Sequence, residues 1–143
     1  MAEAKVGGRR LALAYPQTYM NESGVAVARL VRRFGIDDLS RLVIVQDELD
    51  LPVGSVRVKL GGGTAGHNGL KSIGAHLHDN GFVRVRIGID KAPGRKTGTD
   101  HVLRAPGRAE KKELEVAVEV AADAVECILD EGVDVAMNRF NSR

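Results

Sequence analysis

Residues 42–60 read LVIVQDELDLPVGSVRVKL, and two different strand patterns lie in them, one on each side of a turn. Leu42 to Val45 is an unbroken apolar run rich in β-branched residues, the pattern of a strand buried on both faces in a parallel or mixed sheet. Asp47, Glu48 and Asp50 follow it, and Pro52 and Gly54 turn the chain. Val56 to Leu60 then alternates strictly, which predicts a half-exposed strand with Arg57 and Lys59 on its polar face.

Outward from this core the pattern alternates between strands and helices. Toward the C-terminus, GGGTAGHNG (61–69) reads as a loop, Leu70 to Leu77 as a short helix, and FVRVRIGI (82–89) as a strand with Arg84 and Arg86 on a basic face. A basic loop, DKAPGRKTGT (90–99), precedes a long helix. Leu114, Ala117, Val118, Ala121, Val125 and Ile128 carry its 3.6-residue period, and Gly132 separates it from a last helix, Val133 to Phe140. Toward the N-terminus, Arg10 to Ala14 reads as a strand that Pro16 ends. Val27, Leu30, Val31 and Phe34 then mark a helix with Asn21 or Ser23 as N-cap and Gly35 as its stop. The expected fold is α/β, one domain over 1–143 with helices layered on a central sheet.

The 143 residues are 43% hydrophobic and 28% charged, which fits one globular domain and excludes a disordered tail or a collagen-like repeat. Cys127 is the single cysteine, so no disulfide forms within the chain, and its place on the apolar stripe of the long helix predicts a buried structural thiol. Leu11 to Asn21 is uncharged but too short and polar to span a bilayer, and residues 1–10 lack the pattern of a secretory signal. A cytoplasmic protein is the default expectation. Residues 1–104 carry 16 Lys and Arg against 10 Asp and Glu, whereas residues 105–143 carry 5 against 9. That asymmetry suits either a polyanionic partner or a solvated charged surface.

Several residues can carry chemistry. The glycine loop fits neither GxGxxG nor GxxxxGK[ST] in register, so it reads as a tight connection rather than a nucleotide site. Asn68 can cap the following helix or place a substrate carbonyl or water. Asp47, at the carboxyl end of a strand where open α/β sheets bind ligands, can orient a histidine. Glu48 reads as a surface turn acid, and the three acids lack calcium-loop spacing. His67, His76, His78 and His101 have no zinc-binding context. Lys59, Arg84 and Arg86 can clamp a phosphate. Aromatic residues are only 3%, so an RNA partner would be held by shape and phosphate contacts rather than base stacking.

Five ordered segments, YMNESG (19–24), DELDLPVG (47–54), KLGGG with GHNGL (59–70), FVRVRIGI (82–89) and AMNRFN (136–141), together resemble the bacterial peptidyl-tRNA hydrolase family. The resemblance implies a single α/β domain with a twisted mixed sheet flanked by helices. It also implies hydrolysis, without metal or other cofactor, of the ester joining a peptide to the terminal ribose of tRNA. By the same resemblance, Tyr19 and Asn21 contact the peptide and the 3′ end, and Asn68 helps place substrate and attacking water. Asp47 holds and polarises the catalytic histidine, while Lys59 and Arg86 clamp the tRNA 5′ phosphate. The partner is peptidyl-tRNA, with no membrane and a monomeric enzyme if complete.

This sequence departs from the family in ways that set further expectations. In the family a first strand, an N-x-G loop and a general-base histidine precede the position where this chain starts. The chain is therefore expected to be truncated at the N-terminus, lacking that strand and the histidine segment. A general base contributes roughly 10²–10⁴-fold, and His67, beside Asn68, is a poor deputy because base geometry is demanding. Gln46 stands where His often precedes DELD, and Asp90 where Gly is usual. Two function classes follow: a hydrolase, or a catalytically inactive tRNA-binding paralogue or fragment of the enzyme.

Overall fold

The computed structural model describes residues 2–6, 8–15, 22–63, 67–90 and 108–142. In chain order the elements are β1 (Ala2–Val6), β2 (Arg9–Leu13), α1 (Ser23–Arg33), a 3-10 turn (Leu39–Arg41), β3 (Val43–Glu48) and β4 (Val56–Leu60). They continue with α2 (Asn68–Leu77), β5 (Val83–Gly88), α3 (Arg108–Glu131) and α4 (Val133–Asn141). Backbone contacts divide the chain into two units, Met1–Val43 with Leu60–Val83, and Ile44–Lys59 with Arg84–Arg143.

In the first unit, β1 and β2 form an antiparallel hairpin from the Ala2–Leu13 pair to the Val6–Arg9 pair. β1 is an addition to the sequence expectation, because Ala, Glu and Lys are poor strand formers. Its signal is the Gly7-Gly8 dipeptide between two short segments, and Gly8 takes a φ of 80°.

The same unit pairs α1 with α2. The Gly24 amide, at the start of α1, donates to the buried Ser72 Oγ of α2 at 2.9 Å. A Cβ on Gly24 would run into Ser72 O and His76 Nδ1, so only glycine lets these helices approach so closely. That contact corrects the capping expectation. Ser23 is already helical, the N-cap is Glu22 without a side-chain bond, and the orphan amide of the first turn is satisfied from the neighbouring helix. Asn21 lies outside the described residues.

The second unit contains most of the three-stranded sheet, ordered β3-β5-β4. Bonds from Val83 N–H to Leu42 O and from Ile89 N–H to Glu48 O advance together along both chains, which makes β3 and β5 parallel. Bonds from Gly61 N–H to Phe82 O and from Gly88 N–H to Ser55 O run in opposite senses, which makes β4 and β5 antiparallel. The sheet is mixed, as the family resemblance implied.

Two strand expectations need correction. β3 is not buried on both faces, since Val45 is 51% exposed, and the central strand is β5. β3 also runs through Asp47 and Glu48 instead of ending before them, because the bond to Glu48 O prolongs the ladder. Beyond it, residues 51–55 fold over the end of β5. Gly88 N–H donates to Ser55 O at 2.8 Å and Asp90 N–H to Leu51 O at 2.9 Å, and a Cβ on Gly88 would strike Pro52 O.

In α3 and α4, Ala117, Ala121, Ala124, Cys127, Ile128, Ala136 and Phe140 are buried; of the stripe read from sequence, Ala117, Ala121 and Ile128 are buried and Leu114 and Val125 half-buried, but Val118 is exposed and Ala124 takes its place on the buried face. Gly132, at a φ of 93°, makes the break between the two helices. Among the described residues no helix is long and apolar enough to cross a membrane.

Candidate functional site

The strand registers decide which side chains share a face of the sheet. Antiparallel pairing places Lys59 directly opposite Arg84 and Arg57 opposite Arg86, while parallel pairing places Gln46 beside Arg86. Arg57, Lys59, Arg84 and Arg86 therefore lie on one side, together with Gln46 and Glu48. Like charges directly opposed across a ladder repel. Four cations in two such pairs are a poor structural choice and a good anion-binding one.

Burial sharpens this. Arg84 is 2% exposed, because it lies on the central strand, so the basic face of β5 is covered rather than solvated. Burial holds its guanidinium below the ordinary arginine range; Arg86 pushes the same way and Glu48 opposes both. Arg86 is less enclosed, with its side chain 24% exposed, and its Nη1 lies 3.8 Å from Glu48 Oε1. Arg57 donates from Nη1 to Val56 O at 2.9 Å. Lys59 is half-buried.

Glu48 corrects the sequence reading. It is not a surface turn acid: its side chain is 14% exposed and faces Arg86 from β3. The available signal was alternation, since positions 46 and 48 share a side in any strand that continues past Val45.

Asp47 is half-buried near the carboxyl end of β3, and by alternation it points to the other side of the sheet from Lys59 and Arg86. Asn68, in the first unit, is the first residue of α2. It does not cap the helix. His67 does so, its Nδ1 accepting from Leu70 N–H at 3.2 Å, and this leaves the Asn68 amide exposed. The bond also occupies the His67 Nδ1 lone pair, which weakens His67 further as a deputy base. Tyr19 lies, with Asn21, outside the described residues.

Cys127 is buried, with Sγ 3.5 Å from Arg139 Nη1 and 3.6 Å from Glu131 Oε2. Burial raises its thiol above the ordinary range, as suits a structural cysteine.

The motifs and the mixed sheet agree with what known proteins show. The family model for peptidyl-tRNA hydrolase matches residues 1–143. The peptidyl-tRNA hydrolase of Rhodococcus erythropolis is 46% identical over 141 residues, covering 99% of this chain and 74% of that protein. That of Leifsonia xyli is 46% identical over 144 residues, with the same shares. The crystal structure of the Acinetobacter baumannii peptidyl-tRNA hydrolase has a TM-score of 0.89 at 34% identity, covering 97% of this chain and 70% of that one. The chain spans about three quarters of the length of the Rhodococcus and Leifsonia relatives, and the match along residues 1–143 does not test the expected loss of a first strand and histidine segment. The chain belongs to the peptidyl-tRNA hydrolase family.

Proposed function

We propose that this protein hydrolyses the ester between a peptide and the terminal ribose of tRNA, in the cytoplasm, and that Lys59 and Arg86 hold the tRNA 5′ phosphate. The observation that carries the phosphate reading is the facing of Lys59 with Arg84, and of Arg57 with Arg86, across β4 and β5. A dianionic phosphate relieves that repulsion and takes several guanidinium donors at once.

Asp47, on the opposite side of the sheet, serves the chemistry instead of the clamp. It serves to orient the general-base imidazole of the family's reaction, a group that none of His67, His76, His78 and His101 matches and that this reading requires in addition to residues 1–143. Asn68, with its amide left exposed by His67 capping, hydrogen-bonds the substrate and that water. Tyr19 and Asn21 contact the peptide and the 3′ end, as the family resemblance implies.

The test combines release of peptide from a peptidyl-tRNA with binding of the deacylated tRNA over a series of salt concentrations. Wild type is expected to cleave and to bind with a steep salt dependence. Lys59→Ala is expected to weaken binding and lower the salt slope by about 1, the share of one phosphate contact. Salt-dependent binding without cleavage would replace the hydrolase with an inactive tRNA-binding paralogue. Absence of both would sink the proposal.

A further inference from the structure

We propose that Glu48 is a positioning residue of the phosphate clamp, holding Arg86 in place without consuming its hydrogen-bond donors. The inference rests on the clamp reading above and adds a residue to it.

Each carboxylate oxygen of Glu48 has its own task. Oε2 accepts from Asp50 N–H at 3.5 Å, which ties the side chain to the turn after β3. Oε1 faces Arg86 Nη1 at 3.8 Å. That separation is an ion pair but exceeds the 2.7–2.9 Å of a charge-assisted hydrogen bond. The guanidinium is thus drawn toward β3 by charge while Glu48 leaves its N–H groups unused. Arg86 Nε is buried and has no hydrogen-bond partner among the described residues, and neither has Gln46 Oε1 beside it.

Arg84 and Arg86 are alternate residues on one side of β5 and so repel each other, a repulsion that adds to burial in holding Arg84 below the ordinary arginine range. Glu48 opposes that repulsion. Without its carboxylate, Arg86 would swing away from Arg84 toward solvent. It would remain a cation able to attract any phosphate, but it would no longer be aimed at one place. Glu48 is thereby expected to trade overall attraction for discrimination of the terminal phosphate.

The experiment compares binding of two tRNA acceptor-stem hairpins, one with a 5′ phosphate and one with a 5′ hydroxyl, to the full chain. Wild type, Glu48→Gln, Arg86→Gln and the double variant are measured, with folding followed by circular dichroism. Glu48→Gln is expected to bind both hairpins as tightly as wild type or tighter, since a negative charge is gone. Its preference for the phosphorylated hairpin is expected to fall roughly three- to tenfold, an ordinary coupling between contacting residues. In the Arg86→Gln background, Glu48→Gln should change the preference no further. A merely structural role would weaken both hairpins alike and persist in that background.

An unchanged preference in Glu48→Gln, or an equal fall with and without Arg86, overturns the inference. Should Glu48→Gln fail to fold, Glu48→Asp withdraws the charge by one methylene. A preference below wild type then supports the inference, and one equal to wild type overturns it. No preference in wild type itself would refute the clamp reading instead.

Discussion

Asn141, the last residue of α4, closes both hydrogen bonds of Val58 on β4: its Oδ1 accepts from Val58 N–H at 2.7 Å and its Nδ2 donates to Val58 O at 2.9 Å. In the register with β5, residues 57 and 59 bond inward, which leaves the Val58 backbone pointing outward from the ladder. An amide side chain offers one donor and one acceptor side by side, so it imitates the missing strand.

Asn141→Ala is therefore expected to destabilise the fold by about 2 kcal/mol, since Val58 is buried and both its polar groups lose their partner. Chemical denaturation checks this. Asn141→Asp keeps the acceptor and loses the donor, so it should fall between alanine and wild type at neutral pH.

The helix pair of the first unit makes a second prediction. Gly24→Ala drives a methyl into Ser72 O and is expected to cost about 1–3 kcal/mol, the range for overpacking. Ser72→Ala removes the acceptor for the Gly24 amide and should cost about 1 kcal/mol, as loss of a cap does. Thermal melts that show no loss for either variant would contradict the close helix contact.

On the proposed reading Asp47 acts through an imidazole and faces away from the cations. In a chain that also carries the family's general-base histidine, Asp47→Ala should reduce turnover by roughly 10²-fold or more and leave tRNA affinity nearly unchanged. Equal losses of turnover and affinity would refute that separation of roles.

Asp90 has a φ of 59°, in the left-handed region that favours glycine. Asp90→Gly is expected to be neutral or slightly stabilising, whereas a β-branched Asp90→Val should cost about 1–2 kcal/mol. Denaturation midpoints of the two variants decide it.

A pH dependence follows from the pair that joins α3 to α4. Arg139 Nη1 donates to Glu131 Oε2 at 2.8 Å. That hydrogen bond, and then the arginine charge, hold the Glu131 carboxyl below the ordinary glutamate range. A carboxyl depressed on folding stabilises above its unfolded value and loses that contribution as pH falls through the folded one. The difference in melting temperature between wild type and Glu131→Gln should thus be present at neutral pH and close on strong acidification.

The sequence showed most elements whose pattern is local. The period of α3 predicted the burial of Ala117, Ala121 and Ile128 but not the exposure of Val118, and the alternation of β5 put Arg84 and Arg86 on one side without showing that Arg84 is covered. What it missed depends on partners distant in the chain. β3 continues through Asp47 and Glu48 because β5 bonds to it, although the acids themselves read as a turn. Lys59 faces Arg84 only by virtue of a register set at Gly61 and Gly88. His67 rather than Asn68 caps α2, a choice between adjacent polar residues that spacing does not make.

The fold of residues 51–55 over the end of β5 has a consequence for which substitutions it tolerates. Its bonds at Ser55, Leu51 and Gly88 are main chain to main chain, and Gly88 contributes only by lacking a side chain. A seam sewn by the backbone is indifferent to most of the side chains along it. Substitutions at Leu51 and Ser55 thus leave these bonds in place, whereas any side chain at Gly88 would push the seam apart.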